Sequence, residues 1–365
     1  MDKNLPLTEK ARDRMINKIN SKGKILEIGA FYNPLLEKKD YDVYYLDILN
    51  EEELKKRFHY LNEEIKNRIV PVDYILDETY NKTFKDTDMK FDYIVSSHVL
   101  EHIHDPISYL FDISTILNPN GKVCLLLPDK DFTFDYYREN SSFADWFDMY
   151  TRGEYNNLPR IFLDSEIGKV NENDYIKYWN KTNSKYPNPN VNYILNEYVK
   201  LIENTENNSF DEHCWVFTDK SFLKILSNLI KTNILPYKLI DFFPTAVYDN
   251  TFGLILELDY TVKEDLEFRQ TQINDIREIS KNIEKKRFEI DAKAIIEENN
   301  LIKSETKLKE KTLTELTEEL KLKNTAINNL NNKLKEKNKK IDKILNSKSM
   351  KITSPLRYIA NKFRK

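Results

Sequence analysis

Lys24-Ile25-Leu26-Glu27-Ile28-Gly29-Ala30-Phe31-Tyr32-Asn33-Pro34 reads as a short apolar strand carrying one carboxylate, a glycine, and a polar loop. That is strand, tight turn, ligand loop. Gly29 lets the backbone turn sharply and approach a ligand with no Cβ in the way. Downstream, Val43-Tyr44-Tyr45-Leu46-Asp47 is a second apolar strand ending in an acid, 18 residues after Gly29. A glycine turn after one strand and an acid at the tip of the next is how an open α/β sheet holds a nucleoside, the acid accepting both ribose hydroxyls. The dinucleotide fingerprint needs further glycines where this chain has Phe31 and Asn33, which argues against a nicotinamide dinucleotide.

Working outward, residues 7–21 form an amphipathic helix with Met15, Ile16 and Ile19 on one side, and 51–66 a charged helix. Arg68 to Val72 is a third strand, followed by Asp73 and Asp77. Phe91 to Val95 is a strand, Ser96 and Ser97 a polar turn, and a helix carries Glu101 and His102. Asn118-Pro119-Asn120-Gly121 is a turn and Lys122 to Leu127 a buried strand ending at Pro128. Strands alternating with helices predict parallel βαβ units. A helix follows Thr218, and Tyr237–Phe243 and Phe252–Tyr260 are two strands joined by a Tyr-Asp-Asn turn.

The block FDYIVSSHVLEHIHDPISYL (91–110), the LPDK segment at 127–130 with Thr133-Phe134-Asp135 after it, and Asp211-Glu212-His213-Cys214-Trp215-Val216-Phe217-Thr218 carry a closer resemblance. With the Glu27-x-Gly29 turn, they resemble class I S-adenosylmethionine (SAM) methyltransferases over residues 20–262, in particular a bacterial subgroup associated with surface-polysaccharide (LPS and capsule) genes. The resemblance implies a Rossmann-like α/β sheet with SAM as cofactor. It points to Glu27, Gly29, Ala30, Asn33, Asp47, Asp77, Ser97 and His98 as cofactor-binding residues: Glu27 for the amino group, Asp47 for the ribose, Asp77 for the adenine amino group. Each acid also has a plainer reading, Glu27 as a strand-end acid, Asp47 as a helix cap and Asp77 as a loop acid. Asp131 stands where the subgroup carries Arg, and Phe31 and Tyr32 are bulky for this loop.

A hydroxyl acceptor needs a positioned base, and an imidazole titrating near neutral pH suits it. His213 and His98 are the leading candidates and Asp129, just after the fifth strand, the third. His102 and His104 fall on the helix behind and point away; His59 lies on a charged helix. No tight cluster of His, Asp and Glu occurs in the sequence, so no metal is expected.

Residues 131–215 form an insertion with 18 aromatic residues in 85, against 12% for the whole chain. It is read as a helical subdomain with an aromatic core and as a lid whose aromatic faces stack on sugars. The last hundred residues lose Trp and nearly all Tyr, and no glycine lies beyond Gly253, so the methyltransferase domain is expected to span 1–262 and a coiled coil 263–346. Ile273, Ile276, Ile283, Ile290, Ala294 and Leu301 fall on one a/d seam. Leu313, Leu316, Leu320, Ile327, Leu330, Leu334, Ile341 and Ile344 fall on another, with a discontinuity expected near 302–312. Residues 347–365 are a basic amphipathic tail with a short helix starting at Ser354-Pro355, suited to an anionic membrane or to a glycosyltransferase partner.

The net charge of −3 argues against nucleic acid as a partner. Cys124 and Cys214 make no disulfide framework, no run of 18 apolar residues occurs, and MDKNLPLTEK is no secretory signal; the expected place is the cytoplasm, peripheral at the inner face of the plasma membrane. The expected activity is O-methylation of a sugar in a surface glycan or its nucleotide-sugar or lipid-linked precursor, by a homo-oligomer. The alternatives are a methyltransferase of a small metabolite or lipid, and a degenerate scaffold organising a glycan-assembly complex.

Overall fold

Seven strands form one sheet in the computed structural model: β1 Ile25–Ile28, β2 Val43–Asp47, β3 Tyr74–Ile75, β4 Phe91–Ser97, β5 Leu117–Pro128, β6 Tyr237–Phe243 and β7 Thr251–Leu258. Their order is β3-β2-β1-β4-β5-β7-β6. β1 runs parallel to β2 and β4, whereas β7 runs antiparallel to both β5 and β6. This is the Rossmann-like sheet expected, with its strand order reversing between β1 and β4. The structure describes residues 11–152, 158–170, 178–179, 189–203 and 212–362. Residues 7–10 of the expected first helix, Pro187, Asp211 and the tail residues Phe363, Arg364 and Lys365 lie outside them.

Several elements differ from the sequence reading for local reasons. The third strand begins at Tyr74, not Arg68. Asp73 exchanges bonds with Tyr45, its carboxylate accepting at 2.7 Å and its N–H donating at 2.9 Å, and so starts the ladder. Upstream, Val70 N–H donates to the Phe31 carbonyl at 2.8 Å and closes the loop after β1 instead. The charged helix 51–66 is two helices, Glu51–Arg57 and Glu63–Lys66, each with its own asparagine cap, Asn50 and Asn62. After β4 the chain makes a single 3₁₀ turn, Leu100–His102; Asp105 then caps a helix whose first residue is Pro106.

The sheet is covered on both faces. One face buries Leu26, Ile94, Trp146, Phe217 and Phe222 in one cluster, and the other buries Ala11, Met15, Ile25 and Val95. Trp146, from the insertion's helix Phe143–Arg152, meets Trp215, Phe217 and Phe222 edge-on, so that part of the aromatic insertion is core.

The helix Leu266–Lys281 packs on the helix Asp219–Lys231, burying Ile273 and Ile276; after a break at Asn282, Ile283 is buried too. Arg287 donates to Asp219 and to the Thr245 carbonyl, both at 2.7 Å, and Lys286 to the Phe242 carbonyl at 2.8 Å. These first positions of the expected coiled-coil seam are therefore spent inside the domain. The chain forms one unit up to Ile295 and another from Ile296 onward. The helix Ile283–Leu345 runs unbroken through 302–312, and the helix Lys348–Lys362 starts earlier than expected, with Pro355 inside it. Leu313, Leu320, Leu330 and Leu334 are exposed. No described helix is long and apolar enough to cross a membrane.

Ile276 is 1% exposed on a helix counted outside the domain from its sequence. Ile276→Ala is expected to lower stability by about 2–4 kcal/mol in chemical denaturation. A loss below about 0.5 kcal/mol, the size of an exposed substitution, would contradict this packing.

Candidate active site

The carboxyl ends of β1, β2 and β4 open on a cleft of about 570 Å³. Ile28, Gly29, Asp47, His98 and Val99 belong to its lining, and Phe31, Arg57, Phe58 and Tyr80 wall it. Gly29 has φ +71°, and a Cβ there would stand 2.7 Å from Val99 Cγ2, so conformation and space both demand glycine. Its N–H donates to the Leu46 carbonyl at 2.9 Å, tying the turn to β2. Phe31 is left-handed as well, φ 47°, and packs on Phe58 at 4.7 Å, so the bulky loop residue forms cleft wall.

Glu27 is 1% exposed, and its two oxygens accept from the Leu35 and Leu36 amides at 2.5 and 3.0 Å. Burial pushes its pKa up to about 7, against the pull of those two bonds and of Arg12. The carboxylate holds the loop and does not line the cleft, because backbone donors occupy both oxygens. Ala30 is buried and accepts from Asn33 N–H at 3.1 Å; neither lines the cleft. Asp47 lines it at the tip of β2, with one oxygen accepting from Ile48 N–H at 2.7 Å; burial raises its pKa. Asp77 turns outward and pairs with Lys82 at 3.1 Å, leaving Leu76 in the wall. Ser97 closes β4 opposite Leu126 and stands beside the lining.

His98 is left-handed, φ 56°, at the tip of β4. Its Nε2 is 3.0 Å from Thr251 Oγ1 and its Nδ1 3.5 Å from Glu101 Oε1. Desolvation in this recess and the neighbouring His213 and His102 lower its pKa, although 40% of the side chain is exposed. The 3₁₀ turn replaces the expected helix, and His102 therefore does not point away but lines the cleft, while Glu101 is fully buried. The Glu101 carbonyl accepts from the Cys214 and Trp215 amides at 2.7 and 3.1 Å, while Trp215 Nε1 donates to the Ile103 carbonyl at 2.7 Å. Those bonds clamp residues 213–215 onto the turn.

His213 Nδ1 is 2.5 Å from Asp135 Oδ2, and its Nε2 is 3.9 Å from Glu101 Oε1. Burial would lower the pKa of His213, but the Asp135 bond and charge outweigh it, with Glu101 adding to them, and the shift is upward. Asp135 is held low despite its burial by His213 and by Arg138, which donates to it at 2.8 Å and to Asp164 at 2.7 Å. Glu101 is pushed up to about 7 by burial, with His213 opposing. Among the described residues neither Glu101 oxygen has a hydrogen-bond partner. The ligand atoms of Glu101, His102 and His213 all lie within 4.8 Å of one another, a cluster that the linear sequence separates by 111 residues between His102 and His213.

Asp129 is not part of this site. One oxygen accepts from Thr245 Oγ1 at 2.7 Å and the other from Asp131 N–H at 3.2 Å, capping a short turn. Burial and the nearby Asp219 raise its pKa. It organises the chain after β5. The sequence gives no role to Arg57, Phe58 or Tyr80, and Val99, Asp135 and His213 enter it within motifs; the His98-x-x-Glu101-His102 spacing is the local signal for the cluster.

Among solved structures, the chain is similar to a glycopeptide N-methyltransferase MtfA complexed with sinefungin, at 19% identity over 35% of this chain and 56% of that one, TM-score 0.24. It is similar to a CurJ carbon methyltransferase at 12% identity over 67% and 51%, TM-score 0.31. A SAM dependent methyltransferase from Aquifex aeolicus matches at 9% identity over 68% and 90%, TM-score 0.32. The chain thus spans about half the length of the first two. No curated protein matches it. Residues 3–229, more than half of the chain, match the profile of a family described as a methyltransferase domain, and to that family this chain belongs.

Proposed function

We propose that this chain transfers the methyl group of SAM to a hydroxyl of a sugar in a bacterial surface glycan or its nucleotide-sugar or lipid-linked precursor. One observation carries the reading: Gly29 and Asp47, at the tips of β1 and β2, line the same cleft as His98 and His102. An acceptor brought to the imidazole edge lies within the cofactor's cleft. Asp47 accepts the ribose hydroxyls and Gly29 admits the backbone to the amino-acid part of SAM. The displacement is in line at a cationic sulfonium, so alignment supplies most of the acceleration. His98, kept neutral at physiological pH by its lowered pKa, takes the hydroxyl proton; His213, buried and bonded to Asp135, is a positioning residue beside it.

A recess of about 120 Å³ in the insertion supports a polyhydroxyl acceptor. It gathers Asn140, Asp145, Arg160 and Asp164 beside Trp215, donors and acceptors next to an aromatic ring. Leu313, Leu320 and Leu330, each more than 60% exposed on one helix, support a homo-oligomer formed through the second seam. The basic tail helix supports a peripheral contact with an anionic membrane at the cytoplasmic face, or with a glycosyltransferase.

The reading predicts that SAM binds the full chain at one per protomer in calorimetry, and that Asp47→Ala weakens it by about 10–100-fold. Unchanged affinity would remove Asp47 from the ribose role, and no binding by the unaltered chain would sink the cofactor reading. In sedimentation, the full chain should be oligomeric at micromolar concentration, and a chain ended after Ile295 monomeric. A monomeric full chain would contradict the seam.

A further inference from the structure

Glu101 is a buried acid beside the cleft. It is 0% exposed, and neither oxygen finds a hydrogen-bond donor among the described residues. A carboxyl group so enclosed either holds its proton or takes a positive charge beside it. Around it stand three imidazoles. His213 Nε2 is 3.9 Å from Oε1, His98 Nδ1 is 3.5 Å from the same oxygen, and the ring of His102 meets that of His213 at 4.9 Å between centroids. Arg138, a cation of this neighbourhood, is already held by Asp135 and Asp164.

We propose that Glu101, His102 and His213 bind a divalent first-row transition-metal ion, with its remaining positions open toward the cleft. Three features of the cluster suit that occupant. The ligand atoms lie within 4.8 Å of one another, and two ligands each about 2.1 Å from one ion stand about 3–4 Å apart, so small side-chain rotations close the set. Two imidazoles with one carboxylate, leaving positions open, favour a transition metal over magnesium or calcium. The Asp135 carboxylate accepts from His213 Nδ1–H, which fixes the tautomer with the Nε2 lone pair facing Glu101 and supplies the outer support that metal-binding histidines carry. His102 belongs both to the cluster and to the cleft wall, so an ion there meets whatever enters the cleft.

The inference rests on the methyl-transfer reading for its consequence, not for the site itself. An ion held by these residues would acidify an acceptor hydroxyl bound to it, and His98, in the lining of the same cleft, would take the proton. The oxygen's electron pair forms the new O–C bond as the C–S bond breaks. The electrons of that bond stay on sulfur, which leaves as the neutral thioether.

The test is equilibrium dialysis of the full chain against Zn²⁺ and against Co²⁺, with the metal quantified and the visible absorption of Co²⁺ recorded. One equivalent should bind, with Co²⁺ bands of a low-coordinate nitrogen-ligated site. Glu101→Gln and His213→Asn should each weaken binding at least tenfold, and Asp135→Asn by about 10–100-fold, while His59→Ala leaves it unchanged. SAM affinity and the thermal melt are measured on every variant; SAM affinity should be retained, and breaking the His213–Asp135 pair should lower the melt while leaving the chain folded at the assay temperature. If a buried variant loses its fold, the partly exposed His102→Asn decides. No bound metal in the unaltered chain, or undiminished binding in folded Glu101→Gln, His213→Asn or His102→Asn, would overturn the site. Failure to bind SAM with metal binding intact would instead overturn the methyl-transfer reading alone.

Discussion

The contact between His213 and Asp135, 2.5 Å long and buried, is the one on which the site's geometry depends. It joins three segments far apart in the chain: the stretch after β5, the stretch before the helix Asp219–Lys231, and, through Glu101, the turn after β4. Asp135 is itself held by Arg138, and Arg138 by Asp164 in the insertion. Removing one member of such a buried pair leaves the other's charge uncompensated, at a cost of roughly 3–5 kcal/mol. The network therefore fixes more than a single ring. It fixes which nitrogen of His213 faces the interior, and where the insertion sits relative to the tip of β4.

A comparable division of labour holds on the cofactor side. The loop after β1 borders the cleft through Gly29, Phe31 and Tyr32. Gly29 supplies the turn, and Val99 Cγ2 fills the space where a Cβ would be. Glu27 then anchors the far end of the loop by accepting from two consecutive amides. Burial raises the pKa of this carboxyl to about 7, while the two amide bonds favour its ionised form. The acid nearest the glycine turn thus shapes the site from behind, and Asp47, on the next strand, is the acid that reaches the cleft.

The sheet was legible because its strands are short apolar runs with unambiguous ends. Val43–Asp47 and Tyr237–Phe243 match their sequence bounds residue for residue. The third strand was not, since two residues of ladder leave almost no periodic signal and Asp73's bonds to Tyr45 set its start. Ile273, Ile276 and Ile283 illustrate a deeper ambiguity. Heptad spacing says that one face of a helix is buried, but not against what, and here a helix of the same chain takes the place of a second copy. Gly29, Asp47 and His98 stand at strand tips in the sequence pattern, and all three line the cleft. The sequence pattern predicts a helix that turns His102 away, but a 3₁₀ turn lies there, with His102 in the cleft wall and Glu101 buried. Asp135 is visible in the sequence as the end of the Thr133-Phe134-Asp135 motif but not its role, which exists only once residues 135 and 213 meet in space.

The most direct measurement is transfer of a trideuterated methyl group from labelled SAM, catalysed by the full chain, onto a panel of free, nucleotide-linked and lipid-linked sugars, with the product bond assigned by mass spectrometry and NMR. The account predicts a trideuteromethyl ether on one sugar hydroxyl, with one S-adenosylhomocysteine released per ether formed. Label arriving on nitrogen, carbon or a carboxylate, or no transfer by a chain that binds SAM, would contradict it.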